Sequence, residues 1–165
     1  MDLQVTAAGR DEQKRLAGLF ELYIYDFSEL LGLDVGEDGR FQLPALEPYW
    51  TDPGHHPFLI RVDATLAGFA LVQERSRLTD QEGVRDMAEF FVMRRYRRRG
   101  VGVRAASLLF DRFQGPWEVR QRPENRDATA FWRRAIAHYT GGRFDDAMWN
   151  DERWRGPVQR FESAR

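Results

Sequence analysis

The spacing of apolar residues changes several times along the chain, and each change marks a predicted element. Over residues 12–31 the apolar residues recur every three or four positions, which predicts a long amphipathic helix that ends at Gly32. Shorter apolar runs predict five strands, at 3–7, 58–62, 66–75, 86–93 and 117–121. Helical spacing returns at 101–114 and 127–138, and a closing hairpin is predicted at 143–149 and 157–161.

Two connections between these elements are polar and long. Residues 32–57 are rich in Gly, Asp and Pro, and we predict a loop there with one short helix near 44–50. Residues 76–84 predict a second polar loop. His55 and His56 fall in the first loop, where adjacent histidines point apart and lack further ligands, so we expect no metal site.

The order of the elements narrows the fold. An antiparallel meander leads into a strand–helix–strand unit, whose two strands, 86–93 and 117–121, are expected to be parallel. We therefore expect an α/β (α+β) fold built on a mixed, mostly antiparallel sheet. The length of 165 residues favours a single domain spanning 1–165.

Composition and charge exclude several classes of protein. The net charge of −1 argues against general nucleic-acid binding, and the absence of cysteine excludes disulfides and thiolate catalysis. The first residues lack the basic and apolar segments of a signal peptide, and no apolar run approaches the ~20 residues of a membrane span. We expect a cytoplasmic protein that binds neither membrane nor nucleic acid.

The most informative stretch follows the strand at 86–93. Six arginines lie between Arg94 and Arg104, and Gly100 and Gly102 relieve the backbone of side chains where the next helix begins. A glycine-rich turn that opens a helix leaves several N–H groups unpaired beside the positive end of the helix dipole, which suits phosphate. A dinucleotide site is disfavoured because this turn does not follow the first strand of a repeated unit. A P-loop is excluded because no Gly-Lys-Ser/Thr follows.

Three motifs and the element order give a family resemblance. The turn stands as Arg97-Arg98-Arg99-Gly100-Val101-Gly102, the strand before it as Glu89-Phe90-Phe91-Val92, and the last long helix as Asn125-Arg-Asp-Ala128-Thr-Ala-Phe131-Trp132. With these motifs the chain resembles the GNAT superfamily of N-acetyltransferases over essentially its whole length. The resemblance implies helices on both faces of the sheet and a splayed parallel strand pair.

The resemblance also implies a place for acetyl-coenzyme A, in the gap between strands 86–93 and 117–121. Val92 and Met93 would pair with the pantetheine arm through their backbone, and Asn125 would hydrogen-bond the same arm. The turn would hold the pyrophosphate. The residues implied there are Arg98, Arg99, Gly100, Val101, Gly102, Val103 and Arg104.

Acetyl transfer to an amine requires a base, and Glu89 is the best candidate. The N–H of Val92 is the expected donor to the thioester carbonyl. Relatives commonly place an acidic Tyr where this chain has Trp132, so Tyr139, two helical turns on, is a substitute candidate beside protonation by solvent. A purely structural role for Glu89, paired with an arginine, is the alternative.

We therefore expect an acetyl-coenzyme A-dependent N-acetyltransferase that acts by direct attack of a primary amine in a ternary complex, without a metal. A non-catalytic acyl-coenzyme A sensor of the same fold is the alternative. A small-molecule or peptide acceptor, a longer acyl group and a homodimer all stay open. Acidic and aromatic residues around the expected acceptor site suit a cationic amine. They are Tyr23, Tyr25, Asp26, Glu29, Asp34, Glu37, Trp50 and Trp149.

Overall fold

The structure, a computed structural model, describes residues 1–164, and within them one mixed sheet lies between two layers of helices. The strands are β1 (Leu3–Ala7), β2 (His55–Val62), β3 (Thr65–Arg75), β4 (Glu82–Val92), β5 (Gly115–Arg120), β6 (Asp145–Asn150) and β7 (Arg155–Ser163). The α-helices are α1 (Gln13–Leu31), α2 (Pro48–Thr51), α3 (Val101–Arg112) and α4 (Arg126–Thr140). Short 3-10 turns precede α1 and follow β4.

The sheet order is β1-β2-β3-β4-β5-β7-β6, and each neighbouring pair is antiparallel except β4 and β5. The crossover from β4 to β5 runs through α3, as a parallel connection requires. This mixed, mostly antiparallel sheet with helices on both faces confirms the predicted fold class.

The parallel pair is short. Strands β4 and β5 pair only at Arg85 with Trp117 and at Asp86 with Glu118. Beyond these residues β4 continues to Val92 along β3, while β5 pairs with β7. Two register shifts between β3 and β4 alter the path of β4. The last residues of β4 therefore have an unpaired edge facing β5, which is the predicted splay.

Apolar side chains cover both faces of the sheet. On one face, α3 and α4 bury Phe110, Trp132 and Ile136 against strand residues that include Trp117. On the opposite face, α1 buries Leu16, Leu19 and Phe20, and α2 buries Tyr49, against strand residues that include Phe69 and Phe91. The three long helices, α1, α3 and α4, bury residues three or four apart, as the sequence pattern predicts.

The strands extend further into the predicted loops than the sequence indicates. Strand β2 begins at His55 and β4 at Glu82, so the predictions of loop at these positions are wrong. Their cross-strand partners, Gln73 and Arg75, lie elsewhere in the chain, and a local pattern does not reveal them. The short helix occupies Pro48–Thr51, slightly later than predicted.

Two kinds of structural feature are absent from residues 1–164. They contain no group of three or more histidine or acidic side chains arranged to hold a metal ion. His56 instead contacts Glu74, with 3.0 Å between the ring Nε2 and the carboxylate. No helix in this part of the chain has the length and apolarity needed to cross a membrane.

Candidate functional site

The turn between β4 and α3, residues 97–104, is here called the phosphate-binding turn. Arg98 (φ +60°) and Gly100 (φ +77°) both adopt the left-handed conformation. Within residues 1–164, the N–H groups of residues 98–103 donate to no backbone carbonyl, and the next, Arg104, donates to the Gly100 carbonyl at 3.1 Å. A run of unpaired N–H groups at the start of a 12-residue helix is a site for an anion.

The two glycines of the turn serve different purposes. A side chain at Gly100 would meet no atom within 4 Å, so glycine is required there by its positive φ and not by crowding. A side chain at Gly102 would lie 3.0 Å from the ring of Phe131 on α4. Gly102 therefore lets α3 and α4 approach each other beneath the turn.

Arg97 anchors the turn to the rest of the site. Its Nε donates to the Val92 carbonyl at 2.6 Å, and its guanidinium contacts the Asp26 carboxylate of α1 and lies 5.5 Å from the Phe91 ring centre. The neighbouring Arg94 also pairs with Asp26. These two arginines are thus held by the protein and are more than a solvated basic loop.

The end of β4 presents one backbone donor to the gap. The Met93 N–H donates to Ala67 of the neighbouring β3 at 2.8 Å, and the Met93 carbonyl accepts from Tyr96. Adjacent residues of a strand point their N–H groups to opposite sides, so the Val92 N–H points away from β3 and into the gap. The Val92 N–H is therefore free to face a ligand in the gap, whereas both backbone groups of Met93 are already bonded within the protein.

Asn125 is the N-cap of α4. Its side-chain oxygen accepts a hydrogen bond from the Ala128 N–H at 3.1 Å, which satisfies one of the unpaired donors of the helix. The side-chain amide nitrogen has no hydrogen-bond partner among the described residues. The cap fixes the orientation of this side chain and leaves an N–H donor for a ligand.

Glu89 lies on the face of β4 that α1 covers. Its carboxylate accepts a hydrogen bond of 2.5 Å from the Tyr23 hydroxyl, and the side chain is half-buried. Burial raises the pKa of Glu89 to about 7, although the bond from Tyr23 and the charge of Arg120 lower it. A carboxylate with this pKa exchanges a proton near neutral pH, which suits a general base.

Two further carboxylates share that face with Glu89. Asp86 is fully buried and forms a two-point ion pair with Arg120, at 2.9 and 3.0 Å, and Arg120 lies 4.8 Å from the Trp154 ring centre. Glu118 is buried and accepts a hydrogen bond from Ser76 at 2.7 Å. Burial raises the pKa of both carboxyls. Asp86, Glu89, Glu118 and Arg120 are here called the carboxylate face.

Tyr139, the substitute candidate for the general acid, lies away from the gap, and Trp132, which stands where relatives have a tyrosine, packs in the core. Trp132 is buried in the core, with its ring 5.0 Å from that of Phe90. The Tyr139 hydroxyl bonds Asp111 at 2.8 Å and Ser163 at 3.0 Å, and Ser163 pairs with Gly115, the first residue of β5. Tyr139 therefore lies at the end of β5 opposite the splay, and its position does not support a role as acid.

The structure thus places the phosphate-binding turn, Val92 and Glu89 along β4 and its continuation, and it places Asn125 at the start of α4. Sequence reasoning missed three contacts of this group: Tyr23 with Glu89, Arg120 with Asp86, and Asp26 with Arg97. Tyr23 and Asp26 were expected only as walls of an acceptor pocket. No local pattern indicates these partners, because each contact joins distant parts of the chain.

Comparison with known families agrees with this geometry. The profile of the Acetyltransferase (GNAT) family matches residues 10–136, which is most of the chain and includes α1, the phosphate-binding turn and most of α4. The chain belongs to the GNAT family. Members of this family are acetyl-coenzyme A-dependent N-acetyltransferases, and this chain is one of them. A search of curated proteins found no match.

Solved structures share the fold at low sequence identity. A GNAT acetyltransferase of Staphylococcus aureus has a TM-score of 0.65 and 10% identity, covering 99% of this chain and 100% of its own. Spermidine N-acetyltransferase of Vibrio cholerae, solved with CoA and spermine, has a TM-score of 0.61 and 11% identity. The match covers 98% of this chain and 95% of that enzyme. A ribosomal-protein alanine N-acetyltransferase of Escherichia coli has a TM-score of 0.57 and 13% identity. The match covers 99% of this chain and 96% of that enzyme. These likenesses extend over the whole GNAT fold.

Proposed function

We propose that this GNAT protein transfers an acetyl group from acetyl-coenzyme A to a primary amine by direct attack in a ternary complex, with Glu89 as the base. The observation that carries the proposal is the half-buried Glu89 carboxylate, which lies on β4 beside the unpaired edge and accepts a hydrogen bond from Tyr23; burial raises its pKa to about 7. A protonated amine must lose a proton before it attacks, and a group with this pKa accepts one at neutral pH.

The residues of the gap fit acetyl-coenzyme A. Acetyl-coenzyme A supplies the acetyl group as a thioester. The unpaired N–H groups of residues 98–103 would hold its pyrophosphate, and the open space beside Gly100 leaves room for it. The Val92 N–H would donate to the thioester carbonyl oxygen, where negative charge develops during attack. The Asn125 amide would donate to the pantetheine arm.

The carboxylate face supports a cationic acceptor. It holds three carboxyl groups and one arginine. Arg120 already pairs with Asp86, so the carboxyl groups of Glu89 and Glu118 have no arginine of this face as their partner. An ammonium group that approached Glu89 would meet negative charge and the aromatic ring of Tyr23. The acceptors named for the enzymes of Vibrio cholerae and Escherichia coli are a polyamine and a ribosomal-protein alanine, so we keep both small-molecule and peptide amines.

The test is release of coenzyme A thiol with a panel of amines and N-terminal peptides, followed by mass spectrometry of the acetylated product. We expect turnover with at least one amine and a loss of about 100-fold or more in kcat/KM for Glu89→Gln. The matched control is Glu82→Gln, which removes an exposed carboxylate from the same strand. Wild-type rates in Glu89→Gln would exclude Glu89 as the base.

A sensor that binds acyl-coenzyme A without turnover is the second candidate. The observation that favours it is the absence of a tyrosine hydroxyl at Trp132, together with the distant position of Tyr139. Binding of acetyl-coenzyme A by calorimetry without thiol release for any amine would favour the sensor. Thiol release would instead require that solvent, or Glu89 after it has gained a proton, protonates the departing thiolate.

A further inference from the structure

Helix α1 carries two polar side chains that reach both halves of the site. The Tyr23 hydroxyl donates to Glu89 at 2.5 Å. The Asp26 carboxylate accepts from Arg94 at 3.0 Å and from Arg97, the first residue of the phosphate-binding turn. Residues three apart lie on one face of a helix, so a single face of α1 makes both contacts.

Phe91 joins the two contacts from the side of the sheet. It follows Glu89 by two residues on β4 and therefore points to the same side of the strand. The Tyr23 ring centre lies 5.7 Å from that of Phe91, and the Arg97 guanidinium lies 5.5 Å from it. Tyr23, which contacts Glu89, and Arg97, which contacts Asp26, thus lie against the same buried aromatic ring.

Arg97 links Asp26 of α1 to Val92, the residue of β4 that borders the gap. The Nε of Arg97 donates to the Val92 carbonyl at 2.6 Å, while its guanidinium contacts Asp26. The side chain of Asp26 is only 18% exposed, whereas those of Arg94 and Arg97 are 74% and 40% exposed. Asp26 is thus the more buried partner of both ion pairs, and it fixes where the turn begins relative to α1.

We propose that Tyr23 and Asp26 are positioning residues: Tyr23 holds Glu89 as the carboxylate, and Asp26 holds Arg97 and with it the turn that binds coenzyme A. Helix α1 then has two roles: it aligns the base with the cofactor site, and it forms one side of the expected acceptor pocket. The catalytic consequence rests on the proposed function, but the contacts themselves can be tested without turnover.

The groups around Glu89 determine the expected effect of Tyr23. Burial favours the protonated form of Glu89 and so raises its pKa. The Tyr23 hydroxyl donates a hydrogen bond to the carboxylate, which favours the ionised form and lowers the pKa. Because loss of the hydroxyl removes a group that lowers the pKa of Glu89, the pKa should rise, and Glu89 should release its proton at higher pH. The other groups that act on Glu89 stay in place in a Tyr23→Phe variant. They are Arg120 and Arg122, which favour the carboxylate, and Asp86 and Tyr49.

The first experiment follows the Glu89 carboxyl carbon by NMR during a pH titration of the ligand-free protein, with the signal assigned by its loss in Glu89→Gln. We expect Tyr23→Phe to move the midpoint upward from about 7, by half a pH unit or more. The matched control is Tyr25→Phe on the same helix, whose ring is 64% exposed, and it should not move the midpoint. An unchanged midpoint in Tyr23→Phe overturns the role of Tyr23.

The second experiment measures binding of coenzyme A by calorimetry. We expect Asp26→Asn to weaken binding by about threefold or more, the scale of a partly exposed ion pair. Glu29→Gln, which removes an exposed carboxylate from the same helix, should bind as the wild type does. Binding of wild-type strength in Asp26→Asn overturns the role of Asp26.

The two proposals fail in different ways. If Glu89→Gln keeps full turnover, Glu89 is not the base, yet the NMR midpoint still reports whether Tyr23 acts on Glu89. If the midpoint and coenzyme A binding do not change in the α1 variants, α1 is only a wall of the pocket, while the loss of turnover in Glu89→Gln still supports the proposed function.

Discussion

The phosphate-binding turn and the carboxylate face lie close together but are built by different means. The turn presents backbone N–H groups, oriented by the positive φ of Gly100 and by the start of α3. The carboxylate face presents side chains from β4 and β5 that meet partners from α1 and the segment before β7, such as Tyr23 and Trp154. A backbone site tolerates most side-chain changes, whereas a side-chain site depends on each of its partners.

The largest expected effect is on the carboxylate face. Arg120→Met leaves the fully buried Asp86 without its partner, and we expect a loss of about 3–5 kcal/mol in the free energy of unfolding, measured in urea. Because burial raises the pKa of Asp86 and loss of Arg120 raises it further, the variant should lose more stability at pH 8 than at pH 5.

Two controls separate charge from packing at this pair. Arg122→Met removes an exposed arginine two residues further on and should change the unfolding free energy by no more than about 0.5 kcal/mol. Asp86→Leu combined with Arg120→Met should recover part of the loss, since no charge is then buried without a partner. Equal stability of Arg120→Met and the wild type would contradict the view that the carboxylate face depends on its side-chain partners.

The second prediction concerns the pH dependence of turnover. Glu89 acts as a base only when it is ionised, and its pKa is raised to about 7. We expect kcat/KM to fall as pH drops below that value, by about tenfold for each pH unit. Because the phosphate-binding turn uses backbone groups that do not titrate, binding of coenzyme A should change far less over the same range. A flat rate profile between pH 5 and 8 would argue against Glu89 as the base.

The contrast between the two regions explains what the sequence alone predicted. Within the turn, the left-handed conformation at Gly100, the helix start at Val101 and the arginine cluster all lie within a few residues, so local rules suffice. The same holds for the three long helices and for the order of the elements along the chain. Even the orientation of Val92 follows once β4 is paired with β3.

The carboxylate face was predictable only in part. Glu89 was identified as a candidate base, but its partner Tyr23 lies 66 residues away in the chain, and Arg120 lies 34 residues from Asp86. Such partners depend on how α1 and the strands pack, which spacing does not encode. The position of Tyr139 was not predictable for the same reason: two turns along α4 from Trp132, it reaches the beginning of β5 instead of the gap.

The third prediction tests the backbone origin of the turn. Gly100→Ala places a side chain at φ +77°, and we expect a loss of about 1–2 kcal/mol in unfolding free energy together with about tenfold weaker coenzyme A binding. Gly32→Ala is the matched control, since Gly32 has φ +62°, open surroundings and a place at the end of α1. It should show the stability loss without the binding loss. Equal binding losses in both variants would show that the effect is global.

The smallest effect is expected at Tyr139, which belongs to neither region. Tyr139→Phe removes hydrogen bonds to Asp111 and Ser163, and we expect a loss of about 1 kcal/mol in the free energy of unfolding. Because these bonds lie at the start of β5, the variant should retain the kcat/KM of the wild type at each pH. Tyr25→Phe, an exposed change, should alter neither quantity. A large rate loss in Tyr139→Phe at unchanged stability would place its hydroxyl in the reaction and extend the side-chain site across the length of β5.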